Sequence, residues 1–131
     1  MNFSLNRIGQ IAISVQDVDR AEAFYRDALG LRHLYRFGDL TFFDCCGIRL
    51  LLEKAHGIED VAQGSPIYFS CPDIALGVRA LEQRGVIFTG KPHLIAPMDD
   101  HDLWMAFFAD LDGHTLALMD EAPMGFVPAP I

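Results

Sequence analysis

Ile11-Ala-Ile-Ser-Val-Gln-Asp17 runs directly into Val18-Asp-Arg-Ala-Glu-Ala-Phe-Tyr-Arg-Asp-Ala-Leu-Gly30. The first piece alternates like a strand, and the second has an apolar stripe closed by glycine. Ile67-Tyr-Phe-Ser-Cys-Pro-Asp73 and Ile74-Ala-Leu-Gly-Val-Arg-Ala-Leu-Glu-Gln-Arg-Gly85 repeat that text. The offset is 56 at the strands (67 − 11) and 55 at the closing glycines (85 − 30). A second echo follows each half: Thr41-Phe-Phe-Asp-Cys-Cys-Gly47-Ile-Arg-Leu-Leu-Leu-Glu53 against Phe107-Phe-Ala-Asp-Leu-Asp-Gly113-His-Thr-Leu-Ala-Leu-Met119. Repetition at this period marks two copies of one supersecondary unit. Two half-units meeting across a pseudo-twofold leave a cleft, and the cleft is where a site is expected.

Each half reads as strand, helix, then three strands. In the first, a strand over about Arg7–Val15 precedes a helix capped by Asp17 or Asp19. Ala21, Phe24, Tyr25, Ala28 and Leu29 form its stripe, and Gly30 stops it. Strands are expected near Arg32–Phe37 and Leu40–Asp44, then, after the turn Cys45-Cys46-Gly47, over Ile48–Lys54. In the second half the strand is Ile67–Cys71, Asp73 is the cap, and the helix runs to Arg84. A strand near Val86–Gly90 follows. Lys91–His101, with Pro92 and Pro97, reads as an irregular excursion. Leu103–Asp110 and His114–Asp120 form a hairpin over the Asp110–Gly113 turn. The organisation is one domain over 1–131: module one at about 7–54, linker 55–65, module two at about 66–120, and an extended tail 121–131.

The 131 residues suffice for one core. A hydrophobic share of 51% is high for so short a chain, and we assign the excess to a subunit interface or an apolar pocket. A net charge of −8 argues against nucleic acid or an anionic membrane as partner. The opening Met1-Asn-Phe-Ser-Leu-Asn-Arg7 lacks the blocks of a signal peptide, and no apolar run has the length of a membrane span. Cys45, Cys46 and Cys71 have neither disulfide nor metal spacing and fit a reduced, cytoplasmic protein.

Two βαβββ modules carrying Ala23-Phe-Tyr-Arg-Asp-Ala-Leu-Gly30 and Phe107-Phe-Ala-Asp-Leu-Asp-Gly113 resemble the vicinal oxygen chelate superfamily. That superfamily includes glyoxalase I, bleomycin- and fosfomycin-resistance proteins and extradiol dioxygenases. The second motif is similar to the family's F-x-x-D-P-D-G turn, with Leu111 in place of proline. The resemblance covers about residues 7–120. It implies an α+β fold in which two βαβββ modules form a curved mixed-sheet half-barrel. Helices would cover the outer face and ligand the concave one.

Alternation then divides the side chains. Gln10, Ala12 and Ser14 share one face of the first strand; Ile11, Ile13 and Val15 share the other. On the fourth strand Arg49, Leu51 and Glu53 face inward, with Leu50 and Leu52 in the core. On the fifth, Pro66, Tyr68 and Ser70 face inward; on the seventh, His101, Leu103, Met105 and Phe107; on the eighth, Thr115, Ala117 and Met119. The inward set mixes polar and apolar groups, as a small-molecule pocket requires. Arg49 and Glu53 share a strand face and are candidates for an ion pair in the cleft. Tyr68 and Phe107 are candidates for stacking on a flat ligand. Phe42, Trp104 and Phe108 are assigned to core packing.

Metal-dependent members of the superfamily place ligands on the first, fourth, fifth and eighth strands. The matching positions here are Gln10, Leu51, Pro66 and Ala117, and only Gln10 carries a donor. The resemblance therefore implies a lost metal site, and no cofactor is expected. His93 and His101, beside Asp99, Asp100 and Asp102, form either a polar lid or an irregular metal loop. His33, His56 and His114 are read as solvated. No nucleophile elbow, phosphate loop or paired-Cys motif is present, so the residues name no reaction.

Three classes of function fit these observations. The first is a metal-free, cytoplasmic, homodimeric binding protein that holds a small molecule on Gln10, Arg49, Glu53, Tyr68, His101, Met105 and Phe107. The second is a metal-dependent lyase, isomerase or dioxygenase with an irregular site. The third is an interaction protein whose cleft is filled by its own side chains. The ligand-position count favours the first over the second.

Overall fold

Asp17 and Asp73 stand where each apolar strand gives way to a helix, and both cap it. The Asp17 carboxylate accepts from Arg20 N at 3.1 Å, and the Asp73 carboxylate from Leu76 N at 3.3 Å. The structure, a computed structural model, describes residues 2–57 and 64–130. The first series is β1 (Gln10–Val15), α1 (Val18–Ala23), a π-helical turn (Phe24–Ala28), β2 (Arg32–Phe37), β3 (Leu40–Cys45) and β4 (Ile48–Lys54). The second is β5 (Ile67–Ser70), α2 (Ile74–Gln83), β6 (His93–Pro97), β7 (Asp102–Ala109) and β8 (Thr115–Ala122). Residues 58–63 of the expected linker lie outside the described residues.

The chain divides into two compact units, Met1–Val61 and Ala62–Ile131. Each holds one open four-stranded mixed sheet, in the order β1-β4-β3-β2 and β5-β8-β7-β6. The expected α+β pair of βαβββ half-barrel modules is therefore present. In both units the first strand lies parallel to the fourth, and the remaining pairs are antiparallel. A parallel neighbour needs a crossover, which the helix supplies. That helix covers one sheet face; the opposite face, free of any helix of its own unit among the described residues, is the open face.

In the first unit Val18, Ala21, Tyr25 and Ala28 are buried with Ile13, Val15, Phe43, Leu50 and Leu52. The helix expected up to Gly30 widens in its last turn. Leu29 N reaches Phe24 O at 3.0 Å, a bond five residues long, and Tyr25 and Ala28 both stay buried across it. A polar cluster sits among these groups. Thr41, fully buried, donates to Glu22 Oε1 at 2.7 Å and meets His33 Nε2 at 2.9 Å. Glu22 also draws Arg26 and Arg36, so His33 is engaged rather than solvated. His114 is buried as well, and its N–H donates to the Asp110 carboxylate at 2.9 Å. His56 is exposed, as expected.

In the second unit Ile74, Ala75, Val78 and Leu81 of α2 are buried with Ala106, Phe108, Leu116 and Leu118. Asp120 adds a cap from β8, accepting from Ile74 N at 3.2 Å. Three expectations need correction here. Val86–Gly90 is not a strand; it contributes one bridge, Phe88 to Phe108. The Lys91–His101 excursion contains β6, paired to β7 with a shift between Leu94 and Ala96. That bulge hides the alternation, and Pro97 is tolerated because β6 is an edge strand. The tail begins as strand through Ala122, then turns, with Phe126 N on Pro123 O at 3.0 Å. Gly125 N donates to Asp102 at 3.0 Å, Phe126 packs edge-on to Trp104, and Arg79 donates to Pro130 O at 3.1 Å.

Candidate functional site

Register fixes which side chains share the open face of the first sheet. Three rungs cross all four strands: Gln10–Arg49–Asp44–Arg32, Ala12–Leu51–Phe42–Tyr35 and Ser14–Glu53–Leu40–Phe37. The first rung is charged and the middle one is apolar and aromatic. The expected phases of β1 and β4 hold: Ile13, Val15, Leu50 and Leu52 are buried, and Gln10, Ala12 and Arg49 are exposed.

Arg49 is built into this face by two contacts. Its Nε donates to Gln10 Oε1 at 2.8 Å, and its guanidinium lies over the Phe42 ring at 5.4 Å. The Tyr35 ring stacks on Phe42, centroids 4.6 Å apart and planes at 29°. The expected Arg49–Glu53 ion pair does not form. Strand geometry sets the two residues two rungs apart on β4, about 13 Å, with Leu51 between them.

Phe42 corrects another expectation. It stands half-exposed on the open face, and its neighbour Phe43 is the buried one. Glycine-to-glycine matching of the two hairpins hides this. Cys45 pairs with Ile48 across two residues, whereas Ala109 pairs with Thr115 across five. The echo holds on β4 and β8 and slips by one on β3 and β7, so Phe42 is the counterpart of Phe107. Tyr35 was missed because β2 shifts register between His33 and Tyr35, which breaks its alternation.

On the second sheet Tyr68, Ala117 and Phe107 form one rung, and Ser70, Met119, Met105 and His93 the next. Tyr68 meets Phe107 edge-on with centroids at 6.2 Å. His93 lies nearly parallel to Phe107 at 5.9 Å, an aromatic contact that sequence reasoning placed in a loop. His101 precedes β7, at the end of this face beside the Leu103–Glu121 rung. Its Nδ1 bonds Asp100 at 2.7 Å and its Nε2 faces Glu121 at 3.3 Å. Among the described residues, no three His, Cys, Asp or Glu side chains are placed to hold a metal. Trp104 is half-buried against Phe126, and Phe108 is core, as expected.

A cavity of about 350 Å³ lies where β5 and β8 end, lined in part by Cys71, Asp73, Asp120, Glu121 and Phe126. Its carboxylates already have work: Asp73 and Asp120 cap α2, and Glu121 faces His101. Burial, then the nearby Asp120 and Asp73, push the Cys71 thiol up. Burial, then Asp44 and Cys46, push Cys45 up too. Neither is an activated nucleophile.

The sequence profile of the Glyoxalase/Bleomycin resistance protein/Dioxygenase superfamily matches residues 7–118. The chain belongs to this superfamily. No curated protein matches it. Among solved structures it is similar to a lactoylglutathione lyase from Agrobacterium tumefaciens, at 22% identity and a TM-score of 0.71, covering 95% of this chain and 100% of that one. A superfamily member from Sphaerobacter thermophilus is similar at 21% identity and a TM-score of 0.72, covering 89% and 98%. An integron cassette protein from the mobile metagenome of V. cholerae gives 16% identity, a TM-score of 0.73, and 93% and 100% coverage. At these identities the likeness is one of fold.

The residues at the four positions that resemble metal-ligand sites do not fit a divalent ion. Leu51 and Ala117 are buried hydrocarbon, and Pro66 has no side-chain donor. The Gln10 oxygen is engaged by Arg49 at 2.8 Å. A permanent cation thus lies beside the single available donor, and it repels a second cation.

Proposed function

We propose that this chain is a metal-free binding protein for a small organic molecule, received on the open sheet faces. The observation that carries the reading is the Arg49–Gln10 contact, which sets a fixed guanidinium fork where a metal would need donors. The aromatic groups beside it, Phe42 and Tyr35, and the Tyr68–Phe107–His93 row on the second sheet add flat apolar area. Mixed faces of this kind orient a ligand through a few polar groups and hold it through apolar contact.

The test is elemental analysis of untagged protein together with a fragment screen by thermal shift. The proposal expects well under one Ni, Zn, Mn or Fe per chain. It also expects fragments that stabilise the protein and lose that effect in Arg49→Ala or Phe107→Ala variants that remain folded. A stoichiometric metal that leaves on Gln10→Ala refutes the proposal and favours a metal-dependent enzyme. Phe107→Ala unfolding the chain, with no fragment bound, favours faces filled by their own side chains.

The same proposal includes a cytoplasmic homodimer. Phe3, Leu5, Phe37 and Ile87 are each more than 70% exposed, apolar area that pairing would cover. Cys45, Cys46 and Cys71 are free thiols, as suits a reducing compartment. Sedimentation at micromolar concentration is expected to give twice the chain mass of 14.6 kDa, and a monomer there refutes the pairing.

A further inference from the structure

We infer that the first sheet's open face selects an elongated planar anion carrying a hydrogen-bond donor at its far end. This inference rests on the small-molecule reading above and names the class of ligand. The three rungs give the face a direction. At one end stand Arg49 and Arg32 with Asp44 between them, a surplus of one positive charge on a chain whose net charge is −8. Asp44 does not ion-pair with Arg49; its carboxylate accepts from Gly47 N at 3.2 Å and so holds the β3–β4 turn. Arg49 spends its Nε on Gln10, which fixes the plane of the guanidinium and leaves the terminal nitrogens for a carboxylate.

In the middle rung, Tyr35 and Phe42 offer a stacked aromatic surface beside Leu51. A flat ring laid against the edges of this stack and over Leu51 keeps its anionic end at Arg49. At the other end is Glu53, a half-buried carboxylate with no hydrogen-bond or ion-pair partner among the described residues. A carboxylate so placed accepts a donor from a ligand and repels an anion. Cation, plane and acceptor therefore follow one another over about 13 Å, four residues of β4. A short arylcarboxylate reaches the first two groups. A two-ring ligand with an amine or hydroxyl at its far end reaches all three.

Three probes separate these contributions: biphenyl-4-carboxylate, 4′-aminobiphenyl-4-carboxylate and 4′-aminobiphenyl-4-carboxamide. Titration calorimetry is expected to rank the amino-carboxylate tightest. Arg49→Ala should weaken both carboxylates at least tenfold and the carboxamide less than twofold. Glu53→Gln should weaken the amino-carboxylate several-fold while leaving biphenyl-4-carboxylate unchanged or tighter. Phe42→Ala should weaken all three, and melting curves confirm that each variant is folded. If probes bind through Phe42 but ignore both Arg49 and Glu53, the charge-ordered ligand is overturned and the binding reading survives. If none of the probes binds, and no fragment binds the sheet faces, both fall.

Discussion

A methyl group added at Gly77 tests how closely α2 approaches the sheet of the second unit. An alanine Cβ there would sit 2.5 Å from Cys71 Sγ and 3.0 Å from Leu118 Cδ1. Comfortable non-bonded contacts between such atoms lie near ~3.5–4.0 Å, so the Sγ overlap exceeds about 1 Å. Alanine in place of glycine returns about 1 kcal/mol of helix propensity. Overpacking a tight site costs about 1–3 kcal/mol. Leu118 is buried, and the Cys71 thiol is directed at Asp73 O at 3.5 Å, so neither neighbour yields without losing contacts. The overlap wins, and Gly77→Ala is expected to lower stability by up to about 2 kcal/mol. Removing the sulfur changes the sign. In a Cys71→Ala background the worst overlap is gone, and Gly77→Ala should be neutral or stabilising by up to about 1 kcal/mol. Urea unfolding of the four proteins gives the coupling directly. Stabilisation by Gly77→Ala in the otherwise unchanged chain, or equal effects in both backgrounds, refutes this account of why glycine stands there.

Three further outcomes follow from the buried polar and thiol groups. Thr41→Val keeps the branched shape and removes the hydroxyl that meets Glu22 and His33, and urea unfolding should show a loss of about 1.5–3 kcal/mol; a loss under about 0.5 kcal/mol shows that Glu22 and His33 satisfy each other. Cys46 is exposed while burial raises the Cys45 and Cys71 thiols, so iodoacetamide at mildly alkaline pH should label Cys46 first. Because the folded state favours the neutral thiols, their penalty is absent below the ordinary value of 9.0 and grows as pH rises past it. Stability should therefore fall in that range, and less so in a Cys45→Ser, Cys71→Ser variant.

Much of the fold was written in strict local patterns. β4 runs over Ile48–Lys54 as its alternation requires, and Asp17 and Asp73 cap the helices they precede. Patterns failed where one residue was inserted or shifted. The bulge in β6 turns Leu94, Ile95 and Ala96 into an aperiodic run, and flanking prolines suggest a loop where an edge strand forms. The π-helical turn leaves no mark in the sequence, since Phe24, Tyr25, Ala28 and Leu29 also fit an ordinary helix. At the candidate site, strand phase alone was enough for Arg49, Tyr68, Met105 and Phe107. It was not enough for Phe42, because consecutive phenylalanines carry no phase and the two hairpin connections differ in length. His101 is a different case: it precedes β7, so strand pairing does not fix it, and Asp100 and Glu121 hold its ring.

The chemistry of the first rung follows from the charge that faces Gln10. An amide oxygen is a neutral acceptor and serves a metal ion or a guanidinium equally well. A divalent ion polarises what it binds, but it needs several anionic or imidazole donors to hold it against water. A guanidinium needs none, because it is covalently tethered, permanently charged and already oriented by its own hydrogen bond to Gln10. The hydrocarbon of Leu51, on the next rung of the same face, is compatible with a positive group there but offers a metal no donor. A fork of N–H donors orients an anion and neutralises its charge without withdrawing electrons strongly enough to drive lyase or oxygenase chemistry on its own. Under the proposed binding role, affinity on this face would rest on Arg49 together with the stacked Phe42 and Tyr35. Discrimination in that role would rest on Glu53, whose carboxylate has no partner among the described residues and would favour ligands that end in a donor over those that end in a second anion.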